Sequence, residues 1–197
     1  PIENARDRRG GGVAGVIASL VASGERVLVV CADARRRARH LDGRLGGFDL
    51  TDHAALEHAP ELAREYEHLV VLDPPPYDGI AAAPGPAVHL VYGQPEIAYA
   101  LAAHEHHYGL SEATRAVYAA LRAGEPLDGF DARVAARALT VLEELGLIDG
   151  LSVHPQPQRT RLEASPAYRA YTLRLEDGRR WLTKLTTGTE PATAAVA

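Results

Sequence analysis

The sequence contains no methionine and a single cysteine, Cys31, among its 197 residues. One cysteine excludes an internal disulfide bond and a zinc site built mainly from cysteines. No apolar run approaches the ~20 residues that a membrane-spanning helix requires, and the first residues lack the basic and apolar regions of a signal peptide. We therefore expect a protein of a reducing, cytoplasmic compartment that has no membrane partner. The missing methionine also predicts a fragment of a longer protein.

Lysine is almost absent as well, and the charge is unevenly divided along the chain. The protein has 21 Lys and Arg residues against 26 Asp and Glu residues, and Lys184 is the only lysine. Residues 1–109 carry the whole net charge of -5, with 10 arginines and 15 acidic residues, whereas residues 110–197 are neutral. Proteins that bind nucleic acid strongly by neutralising phosphates are usually basic overall. The composition therefore disfavours a strong binder of that kind.

The first half of the sequence alternates helix and strand patterns, as βα units do. Apolar segments predict four strands, over residues 26–31, 48–50, 68–72 and 87–92. The segments between them predict helices over residues 13–21, 33–41 and 53–66, and Pro95 begins another helix. The continuous apolar run RVLVVC is typical of a strand that is buried on both faces. We expect an α/β domain over residues 1–109, with a small, mostly parallel four-stranded sheet of degenerate helicase or Rossmann type.

The second half predicts a helical module with a wing. Ser111 precedes a helix that stops at Gly124, and Asp131 precedes a second helix whose wide apolar stripe stops at Gly146. Residues 151–154 then predict a short strand, with a loop and a strand-like return as far as residue 162. Pro166 begins a last helix. This order is typical of a winged-helix module over residues 110–185, and residues 186–197 are expected to form a disordered tail.

Residues 10–15, with the sequence GGGVAG, match the G-x-G-x-x-G pattern of dinucleotide-binding proteins. That fingerprint must follow a strand, and residues 4–9 are polar. The segment also lacks the Gly-Lys-Ser or Gly-Lys-Thr ending of a phosphate-binding P-loop. The pattern therefore predicts a flexible lead-in that caps the first helix.

Two carboxylates follow predicted strands directly. Asp33 and Asp73 would both stand at the carboxyl edge of a parallel sheet, where ligands and metal ions bind. Mg²⁺ needs only one or two such carboxylates. A hydrolase would also need a base or a nucleophile beside them, and no G-x-S-x-G segment occurs. The structural interpretation is that Asp33 caps a helix and that Asp73 belongs to a proline-rich turn.

Four arginines, Arg35, Arg36, Arg37 and Arg39, lie in the first turns of a predicted helix. Cations at this end oppose the helix dipole by a few tenths to ~1 kcal/mol each. A bound anion or nucleic-acid backbone would offset that cost. The structural alternative is a solvated helix face. These arginines are the candidate nucleic-acid contacts of the chain.

Histidines cluster at the end of the helix that Pro95 begins. His104 and His107 share a face of this helix at a spacing of three residues, with His106 beside them. A zinc site would need a third and a fourth ligand. Histidine near a helix carboxyl terminus is already favourable to the dipole, so the simpler interpretation is structural. Cys31, inside an apolar strand, is expected to be a small buried apolar residue.

Eight segments follow one another along nearly the whole chain. They are RRGGG, VLVVCAD, GGFDLTD, HLVVLDPPPY, VHLVYG, LSEATRAVYAALR, ALTVLEELGLI and SPAYRAYTLRLEDGRRWLT. In this order they resemble the carboxyl-terminal region of RecJ-type single-strand-specific DNA exonucleases of high-GC bacteria. HLVVLDPP is also similar to the Walker B strand of a helicase-type domain, but the Walker A lysine is absent. The resemblance therefore does not imply ATP hydrolysis.

The resemblance implies a non-catalytic accessory domain. Exonucleases of this family carry their metal-dependent chemistry, with Mn²⁺ or Mg²⁺, in an amino-terminal core with an Asp-His-His motif, and no such motif occurs here. The carboxyl-terminal region would modulate how the 5'-to-3' exonuclease engages single-stranded DNA, or dock partner proteins such as single-strand-binding protein. No catalytic residue and no cofactor are carried over to this chain.

Three hypotheses remain at this point. The first is the accessory module, with the arginine-rich helix and the helix of residues 131–145 as candidate contact surfaces. The second is an Mg²⁺-dependent phosphate-handling or small-ligand-binding α/β enzyme that uses Asp33 and Asp73. The third is a winged-helix regulator, which is weakened by Glu143 and Glu144 at the end of the predicted recognition helix.

Overall fold

The computed structural model describes residues 5–41, 46–80 and 85–188. The chain divides into two compact units, one of residues 1–103 and 180–197 and the other of residues 104–179. The division falls inside the helices α4 (Gln94–Tyr108) and α7 (Pro166–Gly188), whereas the sequence places the boundary at residue 109. No helix among the described residues is both long and apolar enough to cross a membrane.

The first unit is built on a parallel sheet. Its strands are β1 (Arg6–Asp7), β2 (Val27–Cys31), β3 (Asp49–Asp52), β4 (His68–Val71) and β5 (Ala87–Leu90). Their order in the sheet is β1-β5-β4-β2-β3, and every neighbouring pair is parallel. The predicted α/β class is confirmed. The described sheet has five strands where the sequence predicts four.

The additional strand, β1, lies at an edge of the sheet. Arg6 lies opposite His89 and Asp7 opposite Leu90, and the backbone N–H of Arg8 donates to the carbonyl oxygen of Leu90 over 2.9 Å. Both residues of β1 are exposed, so this strand needs no apolar pattern. A polar strand of two residues leaves no periodicity in the sequence. The interpretation that no strand precedes the glycine-rich segment, drawn from the polar residues 4–9, is therefore wrong.

Helices cover both faces of this sheet. α1 (Val13–Ala22) packs on one face through Val16, Ile17 and Leu20, and α2 (Ala34–Leu41) adds to the same cluster. The other face packs against α3 (His53–His58), the 3-10 turn Pro60–Glu65 and α4. The predicted helix over residues 53–66 is interrupted because Pro60 has no backbone N–H to continue the α-helical bonding. All five residues of β2 are buried, as its apolar run predicts.

The second unit contains α5 (Leu110–Ala123), α6 (Ala132–Glu144) and a hairpin of β6 (Ile148–Asp149) and β7 (Ser152–Val153). Val117, Ala138, Leu142 and Ile148 form its apolar cluster. The Asp131 side chain accepts hydrogen bonds from the first turn of α6, and Gly124 ends α5 in the left-handed conformation with φ 70°. The sequence therefore predicted both of these helix ends correctly.

Several predicted details after residue 109 are wrong. α5 begins at Leu110 after Gly109 and has no side-chain cap, so Ser111 does not cap it. The strand predicted over residues 151–154 is shorter, and it pairs with the segment before it, because the turn at Gly150, with φ 57°, closes a tight hairpin. α7 continues through Gly178 as far as Gly188, so residues 186–188 are helical. The rest of the expected disordered tail lies outside the described residues.

Candidate functional site

The carboxyl ends of β2 and β4 meet near the centre of the first unit's sheet. Ala32 and Asp33 follow β2, and Leu72 and Asp73 follow β4. The chain leaves β2 towards β3 on one side of the sheet and leaves β4 towards β5 on the other. In open parallel sheets, such a change of direction creates the crevice in which ligands bind. Both carboxylates therefore lie at the sheet edge where the sequence places them, at its topological switch point.

An arginine side chain from α2 occupies this crevice. Asp73 is fully buried, and both of its carboxylate oxygens accept hydrogen bonds from Arg37. The Arg37 Nε to Asp73 Oδ2 distance is 3.0 Å, and the backbone N–H of Ala32 donates to the same oxygen over 3.0 Å. The guanidinium also stacks on Tyr99, 3.6 Å from the ring centroid. An internal ion pair thus stands where this type of sheet usually binds a ligand.

Burial dominates the electrostatics of this ion pair. It raises the pKa of the Asp73 carboxyl, while the hydrogen bonds from Arg37 and Ala32 act in the opposite direction. Burial also works against the charged form of Arg37, but its bonds to Asp73 leave the guanidinium pKa raised overall. Burial raises the pKa of Tyr99 to about 12, so its hydroxyl stays protonated beside the pair. A metal ion at Asp73 would first have to displace a paired, desolvated guanidinium.

Asp33 is engaged in a different structural contact. Its Oδ1 accepts a hydrogen bond from the backbone N–H of Arg36 over 3.0 Å, which is the geometry of a helix N-cap. The Arg36 Nε lies 3.5 Å from the other carboxylate oxygen. The sequence-based interpretation of Asp33 as the cap of α2 is confirmed. The two carboxylates share a sheet edge, but each contacts its own arginine.

The four candidate DNA-contacting arginines have different environments. Arg35 and Arg39 are exposed on α2, whereas Arg36 is half-buried beside Asp33. The Arg37 side chain is only 15% exposed because it points inward to Asp73. Arg35 and Arg39 are therefore the two of the four that lie on the exposed surface. The pairing of Arg37 with Asp73 spans 36 residues, and no local pattern in the sequence could reveal it.

His53 and Cys31 lie near the same sheet edge without forming a reactive pair. The Nε2 of His53 donates to the backbone carbonyl of Asp73 over 2.8 Å, and burial lowers the pKa of this imidazole. Because a carbonyl only accepts, the Nε2 of His53 carries a proton. The Cys31 thiol is fully buried and lies 3.3 Å from the carbonyl oxygen of Thr51, and burial raises its pKa. The expected role of Cys31 as a buried apolar residue is confirmed.

The glycine-rich segment follows a strand after all, since β1 precedes it. Gly10 and Gly12 have φ angles of 87° and 79°, and Gly12 is the N-cap of α1 without a side-chain hydrogen bond. The preceding strand that the fingerprint requires is therefore present, contrary to the interpretation from sequence. The sheet order nevertheless separates this loop from Asp33, because β5 and β4 lie between β1 and β2. Three strand spacings amount to roughly 14 Å, whereas a dinucleotide fold places the acidic residue on the strand beside the glycine loop.

A second polar cluster joins the exposed Glu25 to the buried His68 and His89 within the first unit. His68 Nε2 lies 2.6 Å from the Glu25 carboxylate, and His68 Nδ1 lies 3.1 Å from His89 Nε2. Because the carboxylate accepts, His68 donates through Nε2, and its Nδ1 is hydrogen-bonded to the Nε2 of His89. The Nδ1 of fully buried His89 has no hydrogen-bond partner within the described part of the chain. Burial and the neighbouring Arg8 lower the pKa of His89 to about 4.

The histidines at the end of α4 have structural contacts in the second unit. His104 Nε2 donates to the carbonyl oxygen of Arg174 over 3.0 Å, and burial lowers its pKa. The ring lies against Gly178, where a Cβ atom would overlap it. His106 Nε2 is 4.0 Å from the Asp131 carboxylate. In the hydrogen bond to Arg174, the Nε2 of His104 carries a proton. This nitrogen therefore has no lone pair for a zinc ion shared with His107.

The exposed surface of α6 carries little positive charge. Arg133 is its exposed cation, and Glu143 and Glu144 are exposed at its end. Glu144 accepts hydrogen bonds from the Ser165 hydroxyl at 2.5 Å and from the backbone N–H of Ala167 at 2.8 Å, at the start of α7. A helix that ends in carboxylates is poorly suited to enter a DNA groove.

Comparison of the chain with protein-family models, with curated proteins and with solved structures gave no match.

Proposed function

We propose that this chain is a non-catalytic accessory module of a RecJ-type 5'-to-3' exonuclease, and that it engages single-stranded DNA weakly through the exposed arginines of α2. The parent enzyme would supply the metal-dependent hydrolysis from a separate core. The module would contribute a surface that holds the strand near that core.

The observation that carries this proposal is the ion pair between Arg37 and Asp73 at the topological switch point. An enzyme of this architecture uses the crevice for its substrate, cofactor or metal ion. Here both oxygens of the best-placed carboxylate accept bonds from a guanidinium of the same chain. The Asp73 carboxylate is therefore already used in a structural ion pair. This favours a binding module over an enzyme and disfavours the hypothesis of an Mg²⁺-dependent enzyme.

The exposed face of α2 supports the binding role. Arg35 and Arg39 are exposed on a helix that has no acidic residue in its first turn. A DNA phosphate would offset the unfavourable interaction of Arg35 with the helix dipole. Phosphate contacts of this kind position a strand but do not recognise its sequence. The expected binding is weak and independent of base sequence on this surface.

The test is fluorescence anisotropy of a labelled 20-nucleotide single strand in the presence of Mn²⁺, at several salt concentrations. Each phosphate contact on a single strand contributes about -0.7 to the slope of log K against log salt. We expect the double variant Arg35→Ala/Arg39→Ala to bind more weakly, with a slope about 1.4 less steep than that of the parent chain.

The matched control is Arg115→Ala/Arg122→Ala, which removes two exposed arginines from α5 and should leave the slope unchanged. The strand should also be recovered intact after incubation. Equal binding by both double variants would refute α2 as the contact surface. Degradation of the strand that Asp73→Asn abolishes would refute the non-catalytic assignment.

A further inference from the structure

A cavity of about 230 Å³ opens in the first unit at the carboxyl ends of β4 and β5. Val71, Leu90 and Tyr92 form its floor from the sheet side, Tyr77 comes from the loop after β4, and Trp181 comes from the end of α7. Pockets for drug-sized ligands measure roughly 300–1,000 Å³. At about 230 Å³ this cavity is below that range, which suits a ligand group the size of one ring system.

Aromatic side chains are scarce in this protein, yet three converge on the cavity. The sequence has one tryptophan, two phenylalanines and eight tyrosines, and the lone Trp181 lies here with Tyr77 and Tyr92. Tyr77 and Trp181 are half-buried, so parts of their side chains remain accessible to solvent. Aromatic side chains that stay accessible in a half-open cavity are the platforms on which bases of single strands stack.

The groups beside the cavity match the polar parts of a nucleotide. The Arg9 guanidinium lies 5.7 Å from the centroid of the Tyr92 ring, and its side chain is 36% exposed. Its Nε and one terminal amino group donate to Asp7 at 2.9 and 2.5 Å, and a further hydrogen bond joins it to Tyr92, which leaves two of its five N–H groups for an anion. Asp78, exposed at the cavity, can accept a hydrogen bond from an exocyclic amino group such as that of cytosine.

We propose that this cavity binds a single nucleobase of a DNA single strand, stacked among Tyr77, Tyr92 and Trp181, with an adjacent phosphate at Arg9. The inference rests on the proposed function, because it takes single-stranded DNA as the ligand. It adds a base-stacking site that is separate from the arginines of α2. It also assigns a preference for bases that carry an amino group, through Asp78.

The single tryptophan makes the cavity observable in the intact chain. Unlabelled 12-nucleotide (dC) and (dT) strands are titrated while Trp181 emission is recorded, and binding of labelled strands is followed in parallel by anisotropy. We expect saturable quenching of the emission, with (dC) binding more tightly than (dT). Tyr77→Ala should weaken binding roughly 5- to 150-fold, the range for loss of one stacked base. Tyr77→Phe should bind like the parent chain.

Two matched variants complete the experiment. Tyr168→Ala removes a half-buried tyrosine of α7 that does not line the cavity and should bind normally, and Asp78→Ala should abolish the difference between (dC) and (dT). Binding by anisotropy with unchanged Trp181 emission, and with no effect of Tyr77→Ala, would overturn the base site and leave the proposed function standing. An absence of binding by either readout would overturn both and direct attention to protein partners.

Discussion

Arg37 is the residue that decides what the sheet edge can do. Its guanidinium bonds to Asp73 and stacks on Tyr99, so three distant segments of the chain meet at one side chain. A carboxylate that is fully buried needs such a partner, because leaving it charged and unpaired is costly. The pair is therefore a structural element of the crevice, and Arg37 belongs to the interior of the first unit.

We predict that Arg37→Ala lowers the free energy of unfolding by about 3 kcal/mol or more, because it leaves the buried Asp73 carboxylate without its partner. Urea unfolding followed by circular dichroism measures the change. Asp73→Asn in the Arg37→Ala background should recover part of the loss by removing the charge.

Arg35→Ala is the control for this measurement, since it removes an exposed arginine two residues away on the same helix. It should change the stability by less than about 0.5 kcal/mol. Equal effects of the two single variants would mean that Asp73 does not depend on Arg37. The carboxylate would then be available to a ligand, and the magnesium hypothesis would regain support.

At the scale of elements, α7 contains a glycine, Gly178, at a position where a side chain would not fit. Gly178 lies inside the helix, and a Cβ atom there would overlap the ring of His104. That ring bonds to the carbonyl oxygen of Arg174, one turn earlier in α7. Glycine costs an ordinary helix interior about 1 kcal/mol relative to alanine. Here close packing of α4 residue His104 on α7 outweighs that cost.

We predict that Gly178→Ala destabilises the protein, by about 1–3 kcal/mol, which is opposite in sign to the usual effect in a helix. The reason is overlap between the new methyl group and a buried imidazole. In a His104→Ala background the same substitution should stabilise the protein. Urea unfolding of the four proteins forms the double-mutant cycle that measures this coupling. Independent effects of the two substitutions would contradict the packing argument.

At the scale of the whole molecule, three buried neutral histidines make the fold sensitive to acid. Burial lowers the pKa of His53, His89 and His104 below the ordinary value of 6.5, and His89 falls to about 4. A histidine whose folded pKa is lowered binds fewer protons in the folded state than in the unfolded state. The contribution of these histidines to the free energy of unfolding is therefore fully present above pH 6.5. It is lost as the pH falls from 6.5 towards 4.

We predict that the free energy of unfolding decreases between pH 6.5 and pH 4, with His89 accounting for at most about 3 kcal/mol at about 1.4 kcal/mol per pKa unit. His89→Leu should flatten this part of the profile, because it removes the imidazole whose pKa is lowered to about 4. Urea unfolding at several pH values is the measurement. His154→Leu, at an exposed histidine, should leave the profile unchanged, and the same profile for both variants would refute the assignment to His89.

Local signals in the sequence were sufficient for much of the fold. The apolar run before Cys31 predicts a buried central strand, and Asp33, Asp131 and Gly124 mark helix ends that the structure confirms. These features depend on side chains that act within a few residues of one another. Their physical causes, burial on both faces of a strand and capping of a helix end, are therefore visible in the order of the residues.

The contacts that define the candidate site form only in the folded protein, between residues far apart in the sequence. The sequence brings Asp33 and Asp73 to the sheet edge, but the contact of Arg37 with Asp73 joins residues 36 positions apart. The polar edge strand β1 depends on pairing with β5 and has no pattern of its own. Likewise, Tyr77, Tyr92 and Trp181 come from separate segments and become a cavity only when the sheet and the end of α7 are folded. Sequence periodicity reports which face of an element is buried, whereas such long-range contacts depend on which faces meet.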